Sequence, residues 1–274
     1  MRASMVLLRK RLLFLLVPAL FGAAYLGSTV LSSSTKKDKT TIKVNNLTRS
    51  AELISVEKHK DHLKFSVQNN SDKAITAFVL TIPLDPATVF TYTQEFAFSE
   101  NDTVIPPGQS YDAVIGVPGV LNGRPEITVD VSGVIYEDNS AEGNPDIIRD
   151  VKDDRLGEKI QLTSTIPFLE RMLALPDREL QAALKDFKGA VTDALNISEK
   201  NLSAQPEEQS LQSHGQPAER RHLERVKAGL KTGQESVLRH FQELERLQEA
   251  ARSNALRGEI LRLKQRYERI ISKL

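Results

Sequence analysis

The sequence predicts an α+β protein built in parts: an N-terminal membrane helix, an antiparallel β-sandwich, and a C-terminal α-helical hairpin or bundle with coiled-coil-like heptads. Three observations predict it. Leu12 to Leu31 is twenty residues without a charge. From Lys43 to Glu142, apolar residues alternate at period two between Pro, Gly and Asn turns. From Phe168 onward they recur at steps of three and four, the spacing of a helix face.

Residues 1–11 read as a cytoplasmic basic flank, with Arg2, Arg9, Lys10 and Arg11 and no acid. Residues 12–31 follow as a single-pass signal-anchor. A twenty-residue helix spans roughly 30 Å, the thickness of a bilayer's hydrocarbon core. The apolar core of a signal peptide is shorter, about 7–15 residues. The basic flank keeps the N-terminus in the cytoplasm and sends the bulk of the chain outside, into the periplasm if the cell is bacterial. The alternative is a signal peptide cleaved near Gly22-Ala23-Ala24 or Val30-Leu31-Ser32, giving a secreted product. Residues 32–42, rich in Ser, Thr and Lys, form a tether.

The sandwich is placed at residues 43–165. His62 to Gln68 sets Leu63, Phe65 and Val67 on one face, and Asn69 to Asp72 supplies a turn. Ala74 to Ile82 is a second, more buried strand, closed by Pro83 and Pro86. Pro106-Pro107-Gly108 precedes a strand from Tyr111 to Val117. Glu126 to Tyr136 is another strand, with Ile127, Val129 and Val131 on one face and a bulge expected at Gly133. Leu63, Phe65, Val67, Phe78, Ile127 and Val129 are expected to share one core.

A strand running into VQNNSDKAITAFVL, then a PPGQS turn, then a paired strand resembles the immunoglobulin-like β-sandwiches of bacterial extracytoplasmic proteins, over about residues 43–142. The resemblance implies a binding or spacer module. The Cys–Trp–Cys pattern of antibody domains is absent.

Glu137 to Glu158 carries eight acids against three bases and reads as a solvated acidic loop. Asp138, Asn139, Glu142, Asn144 and Asp146 are oxygen donors of the kind calcium takes, but their order does not match an EF-hand loop. A metal site is not expected there.

The helical part is placed at residues 166–274. Pro176-Asp177 starts a helix that carries Leu180, Leu184, Phe187 and Val191. Residues 197–217, rich in Gln, Ser, Glu and Pro, form a mobile loop. From Ala218 a second seam runs through Val226, Leu230, Val237 and Leu244. Leu256, Ile260, Leu263, Tyr267, Ile270 and Leu274 then repeat out of phase with it. The phase break at Arg252–Ala255 fits two antiparallel helices, so this last stripe is expected to pack within the chain. It is also the candidate surface for a partner or for self-association. Gly229 and Gly233 mark a weak point or a close helix contact.

Composition restricts function. The chain has no cysteine, which removes disulfides, thiol nucleophiles and thiolate metal sites, and points to a bacterial envelope. Net charge is +1, and the fourteen basic residues of Ala218–Leu274 alternate with eight Glu as on a solvated coiled-coil face, so nucleic acid is not an expected partner. No GxSxG, HExxH, Walker A or GxGxxG motif occurs. The expected function is that of a non-enzymatic, membrane-anchored envelope protein presenting sandwich and bundle for protein interaction or structural spacing, with no catalytic residue and no cofactor. The alternatives are an enzyme acting on envelope polysaccharide through an unrecognised carboxylate site, and a calcium-stabilised adhesion module.

Overall fold

The computed structural model describes residues 40–96, 104–117, 119–177, 179–180, 182–184, 186–187, 189–193, 217–250 and 253–274. The expected anchor at 12–31, the first part of the tether, and residues 197–216 of the expected loop lie outside them. No helix among the described residues is long and apolar enough to cross a membrane.

Among the described residues, eight strands form two sheets. In chain order they are β1 (Thr41–Asn46), β2 (Ala51–His59), β3 (His62–Asn69), β4 (Ile75–Asp85), β5 (Thr88–Glu95), β6 (Ser110–Gly116), β7 (Glu126–Tyr136) and β8 (Ala141–Gly143). One sheet has the order β1-β7-β4-β5, with β8 paired to the end of β7; the other has the order β2-β3-β6. Their inner faces meet in one core that contains Leu63, Phe65 and Val67 of β3, Phe78 of β4, and Ile127 and Val129 of β7. Period two had placed these six together. The Phe65 ring stands edge-on to Phe78, with centroids 6.0 Å apart.

Two details differ from the sequence expectation, and a third agrees with it. First, the sheet is mixed rather than antiparallel, because β1 pairs with β7 in parallel, Thr41 opposite Glu126. This strand therefore starts inside the stretch read as tether. β1 is mostly exposed and so lacks an alternating pattern; Lys43 pairs with Glu126 and Asn45 bonds Asp130 along it. Second, β4 continues through Pro83 to Asp85. Its pairing with β7 ends at Thr81, so beyond that point only β5 lies beside it, and proline is tolerated there. Third, the irregularity foreseen at Gly133 is present: Val79 pairs with Gly133 but Leu80 with Val131, leaving Ser132 as the extra residue of the bulge.

The acidic stretch is not a loop. After the turn at Glu137–Ser140 and the short β8, helix α1 runs from Pro145 to Ala174. Asn144 caps it by accepting from the backbone N–H groups of Asp146 and Ile147, and proline sits at the first helical position, where its missing N–H costs nothing. The expected boundary at 165/166 therefore falls inside one continuous helix. α1 lies on the outer face of the larger sheet, where Val151 and Ile147 cover Ala77, Val79 and Ile135.

Beyond α1, the described positions of residues 177–193 are helical (α2), followed by α3 (Pro217–Ala250) and α4 (Ser253–Lys273). α1 and α3 run in the same direction: Asp150 meets Arg221, Asp154 meets Arg225, and Gln161 meets Gly233. They touch backbone to backbone. A Cβ on Gly157 would collide with the main chain of Val226 and Leu230, and one on Gly229 with the main chain of Asp154. The Gly229/Gly233 pair thus marks a close helix contact. α4 folds back on α3, since His240 reaches Tyr267, residues that one continuous helix would hold about 40 Å apart. A second core joins all four helices.

Candidate functional site

A cleft of about 540 Å³ opens where β5, α1, α3 and α4 converge. Glu95, the last residue of β5, is placed by its pairing with Ala77 on β4. α1 brings Glu158 and Leu162 one turn apart. α3 brings Glu235, Arg239, His240 and Glu243, and α4 brings Arg266, Tyr267 and Ile270. Steps of three and four put each helix's contribution on one face.

Arg155 fixes the cleft to the sheet. Its guanidinium donates to both oxygens of Glu95, each at 2.8 Å, and to the Thr76 hydroxyl at 3.1 Å. This fork is buried, with the Arg155 side chain 5% exposed. Glu158 lies one turn along α1. Burial, reinforced by Glu95 and Asp154 and opposed by Arg155, pushes its carboxyl up to about 8. Near neutral pH it keeps its proton. Asp154, at the mouth of the α1/α3 contact, is pushed up to about 6, again chiefly by burial, with Arg225 pulling it down and Asp150 and Asp153 adding to the rise.

On the opposite wall, His240 Nε2 lies 3.0 Å from Arg266 Nη1 and Nδ1 lies 3.0 Å from the Tyr267 hydroxyl. A guanidinium only donates, so Nε2 accepts and Nδ1 carries the hydrogen given to Tyr267. Burial raises the Tyr267 hydroxyl, against the pull of Arg266, and keeps it protonated. In chemical terms the cleft offers a protonated carboxyl, a carboxylate held by an arginine, and a neutral imidazole beside a guanidinium. Both oxygens of Glu95 already accept from Arg155.

The calcium candidates do not converge on an open site. Asp138 pairs with Lys73 at 2.6 Å and accepts from Ser140; these bonds hold its carboxyl well below the usual range. Asn139 occupies the turn with φ 62. Glu142 accepts from the Arg49 and Ser50 backbones and the Ser50 hydroxyl. Burial works against its charge, but those bonds keep it below its ordinary value. Asn144 is the α1 cap, and Asp146 pairs with Arg149. Beside them Tyr136, 3% exposed, is pushed up to about 12 by burial.

The C-terminal stripe lies inside the chain's own helical core. Leu256, Ile260, Leu263, Tyr267 and Ile270 are buried there, and Leu274 packs against it. Arg257, between them in sequence, donates to the carbonyls of Leu173 and Leu175 and to Asp177, closing the end of α1.

Comparison with known protein families, curated proteins and solved structures gives no match. Of the cleft residues, Glu95, Glu158 and Arg266 were not singled out by sequence, and His240 was read only as filling a place in the α3 seam. They come from four separated segments, and Glu158 was counted among the acids of a solvated loop. Tyr267 was noticed only as an apolar seam position. The one legible signal was Asn144-Pro145-Asp146, a helix start that turns the acidic stretch into α1.

Proposed function

We propose that the chain is a membrane-anchored, non-enzymatic protein of the cell envelope. Residues 12–31 hold it in the membrane with the N-terminus in the cytoplasm. Outside, an immunoglobulin-like sandwich carries a helical bundle that serves protein interaction or structural spacing. The observation that supports this best is α1. One thirty-residue helix covers the outer face of a sheet with its first turns and enters the helical core with its last, so sandwich and bundle move as one body on a tether. The chain connections that switch between the sheets at β1–β2, β3–β4, β5–β6 and β6–β7 support the immunoglobulin-like reading.

The test is topology in cells. A C-terminally tagged chain should resist carbonate extraction and should be digested by protease added to spheroplasts. A product released by carbonate, or protected from external protease, would overturn the anchored reading. A secreted alternative would show a product shortened by the first 22–32 residues.

A second reading, an enzyme acting on envelope polysaccharide, draws support from one observation: a protonated Glu158 with Glu95 beside it. Arg155's hold on Glu95 weighs against a working acid–base pair.

A further inference from the structure

We propose that β5 is a self-association edge: two copies of the chain pair antiparallel along Thr88–Gln94, with Thr91 opposite Thr91 of the second copy. The proposal rests on the sandwich alone and stands wherever the chain resides.

The backbone is the first argument. Among the described residues, only β4 lies beside β5 in the sheet. The Phe96 N–H donates to the Thr76 carbonyl at 2.9 Å. Bonding residues alternate along an antiparallel pair, so Gln94, Tyr92 and Phe90 also direct their backbone groups to β4. The N–H and C=O groups of Val89, Thr91 and Thr93 therefore point outward along the free edge.

Charge is the second argument. A free edge is a template for another strand, and proteins guard it with charge, a bulge or a very short strand. The other edges of this sandwich are guarded. β1 carries Lys43; β2 carries Glu52, Glu57 and Lys58 and a bulge between Leu53 and Ser55; β6 carries Asp112; β8 has three residues, Glu142 among them. β5 has no charge from Thr88 to Gln94, and every residue of that run but Gln94 is β-branched or aromatic. Two copies can approach there without like charges meeting.

The side chains choose the partner and the register. Pairing centred on Thr91 sets Val89 against Thr93 and Phe90 against Tyr92 of the second copy, and the reverse. Phe90 and Tyr92 are half-buried at the open side of the core, the Tyr92 ring 5.9 Å from Phe65 and 6.3 Å from Phe78. Aromatic thus meets aromatic and β-branched meets β-branched, combinations that stabilise a strand pair. A centre at Tyr92 would set Glu95 against Val89, and a centre at Phe90 would set Gln94 against Pro86. The two-fold pairing adds about six backbone hydrogen bonds. It also closes: both unguarded edges are used, and the joined sheet ends at each side in β1 with its Lys43.

The experiment is light scattering on the full chain in an uncharged detergent, over a wide range of protein concentration. We expect two chains per particle at high concentration, and one chain in Thr91→Lys and Thr93→Lys at the same concentration with unchanged circular dichroism. The chain has no cysteine, so single introduced cysteines report the register. In the proposed pairing the two Thr91 Cα atoms lie about 5.5 Å apart, within disulfide reach, and the two Val89 Cα atoms about 14 Å apart. Mild oxidation should join Thr91→Cys to itself and Val89→Cys to Thr93→Cys in a mixture, while Val89→Cys by itself stays a single chain. The cysteines keep the edge uncharged, so the pairing is read even if a lysine disturbs the fold. One chain at every concentration, a dimer that both lysine variants leave intact, or Val89→Cys joining itself as readily as Thr91→Cys would overturn the proposal. None of these readouts depends on carbonate extraction or protease access, so the anchored reading stands or falls separately.

Discussion

Glycine-to-alanine substitution should have opposite signs at two helical positions of this chain. At Gly258, on the exposed side of α4, an added Cβ meets nothing within 4 Å. Alanine there gains helix propensity, worth up to about 1 kcal/mol. At Gly229 the same methyl would enter the main chain of Asp154, with the Asp154 Cα only 3.0 Å away. Comfortable carbon–carbon contact is about 3.5–4.0 Å, so α1 and α3 must separate by at least about half an ångström. The obstacle is backbone, which cannot rotate aside. Overpacking of this kind typically costs about 1–3 kcal/mol, and a backbone collision sits at the upper end. After the propensity gain, Gly229→Ala should be destabilised by about 2 kcal/mol, and the two variants should differ by about 3 kcal/mol. Gly157→Ala, whose Cβ would lie 2.6 Å from Leu230 N, should follow Gly229→Ala. Urea denaturation followed by far-ultraviolet circular dichroism measures the difference. A Gly229→Ala midpoint displaced in the same direction as Gly258→Ala would refute the close α1/α3 contact.

Other outcomes follow from the same structure. Phe65→Ala removes a ring 1% exposed in the sandwich core and should cost about 3–5 kcal/mol in denaturant melts; a loss under about 1 kcal/mol would contradict its packing. Ile260→Asp places an unpaired charge at a fully buried position of the helical core, so the helices should melt early with no change in molecular mass by light scattering; a folded species of half the wild-type mass would instead show that the stripe joins two chains. Calcium should give no heat on titration, because Asp138, Glu142, Asn144 and Asp146 each hold a protein partner; a one-to-one isotherm lost on Asp138→Ala would reverse that conclusion. Stability should fall as pH rises from about 4.5 to 8. Glu158 and Asp154 have folded values above their unfolded ones, so the native chain holds protons that the unfolded chain has already lost. Glu158 contributes up to about 1.4 kcal/mol per unit within its own window, and the more exposed Asp154 less, because solvent screens it. Glu158→Gln should remove the fall between about pH 6 and 8 and leave the shallower one below it; an unchanged slope would place Glu158 outside the buried cleft.

Period two found the strands whose two faces differ. β3 and β7 alternate because one face meets the core and the other meets solvent or helix, and their inward residues were legible. β1 and β5 were missed for the converse reason. β1 is exposed at five of six positions and shows no buried face to read, while β5 turns only the half-buried Phe90 and Tyr92 to the core, between exposed Thr91 and Thr93, too short a run to stand out. The helical seams of α2, α3 and α4 were legible because each helix buries one stripe, and the phase break before Ala255 marked the fold-back that the His240–Tyr267 contact now shows.

α1 evaded the pattern for a different reason, and the cleft evaded it with α1. Hydrophobic periodicity assumes that a buried face is apolar. α1 is enclosed by the sheet, by α3 and by α4, and much of what it buries is polar: Asp150, Asp153, Arg155, Gln161 and Thr165. Each enclosure needs its own means of contact. Against the sheet the helix uses Val151 and the Arg155–Glu95 fork. Against α3 it uses Gly157, with Asp150 and Asp153 meeting Arg221 and His222. Only near its end does it return to leucine and methionine, at Leu162, Leu169 and Met172. The sum of three partners leaves no period, and the acids look like a solvated loop. Glu158 lies where these enclosures meet but do not fill the space between them. A carboxyl there is desolvated by the joint itself, so its raised affinity for a proton depends on the packing of four segments distant in sequence. A linear motif could not have contained it.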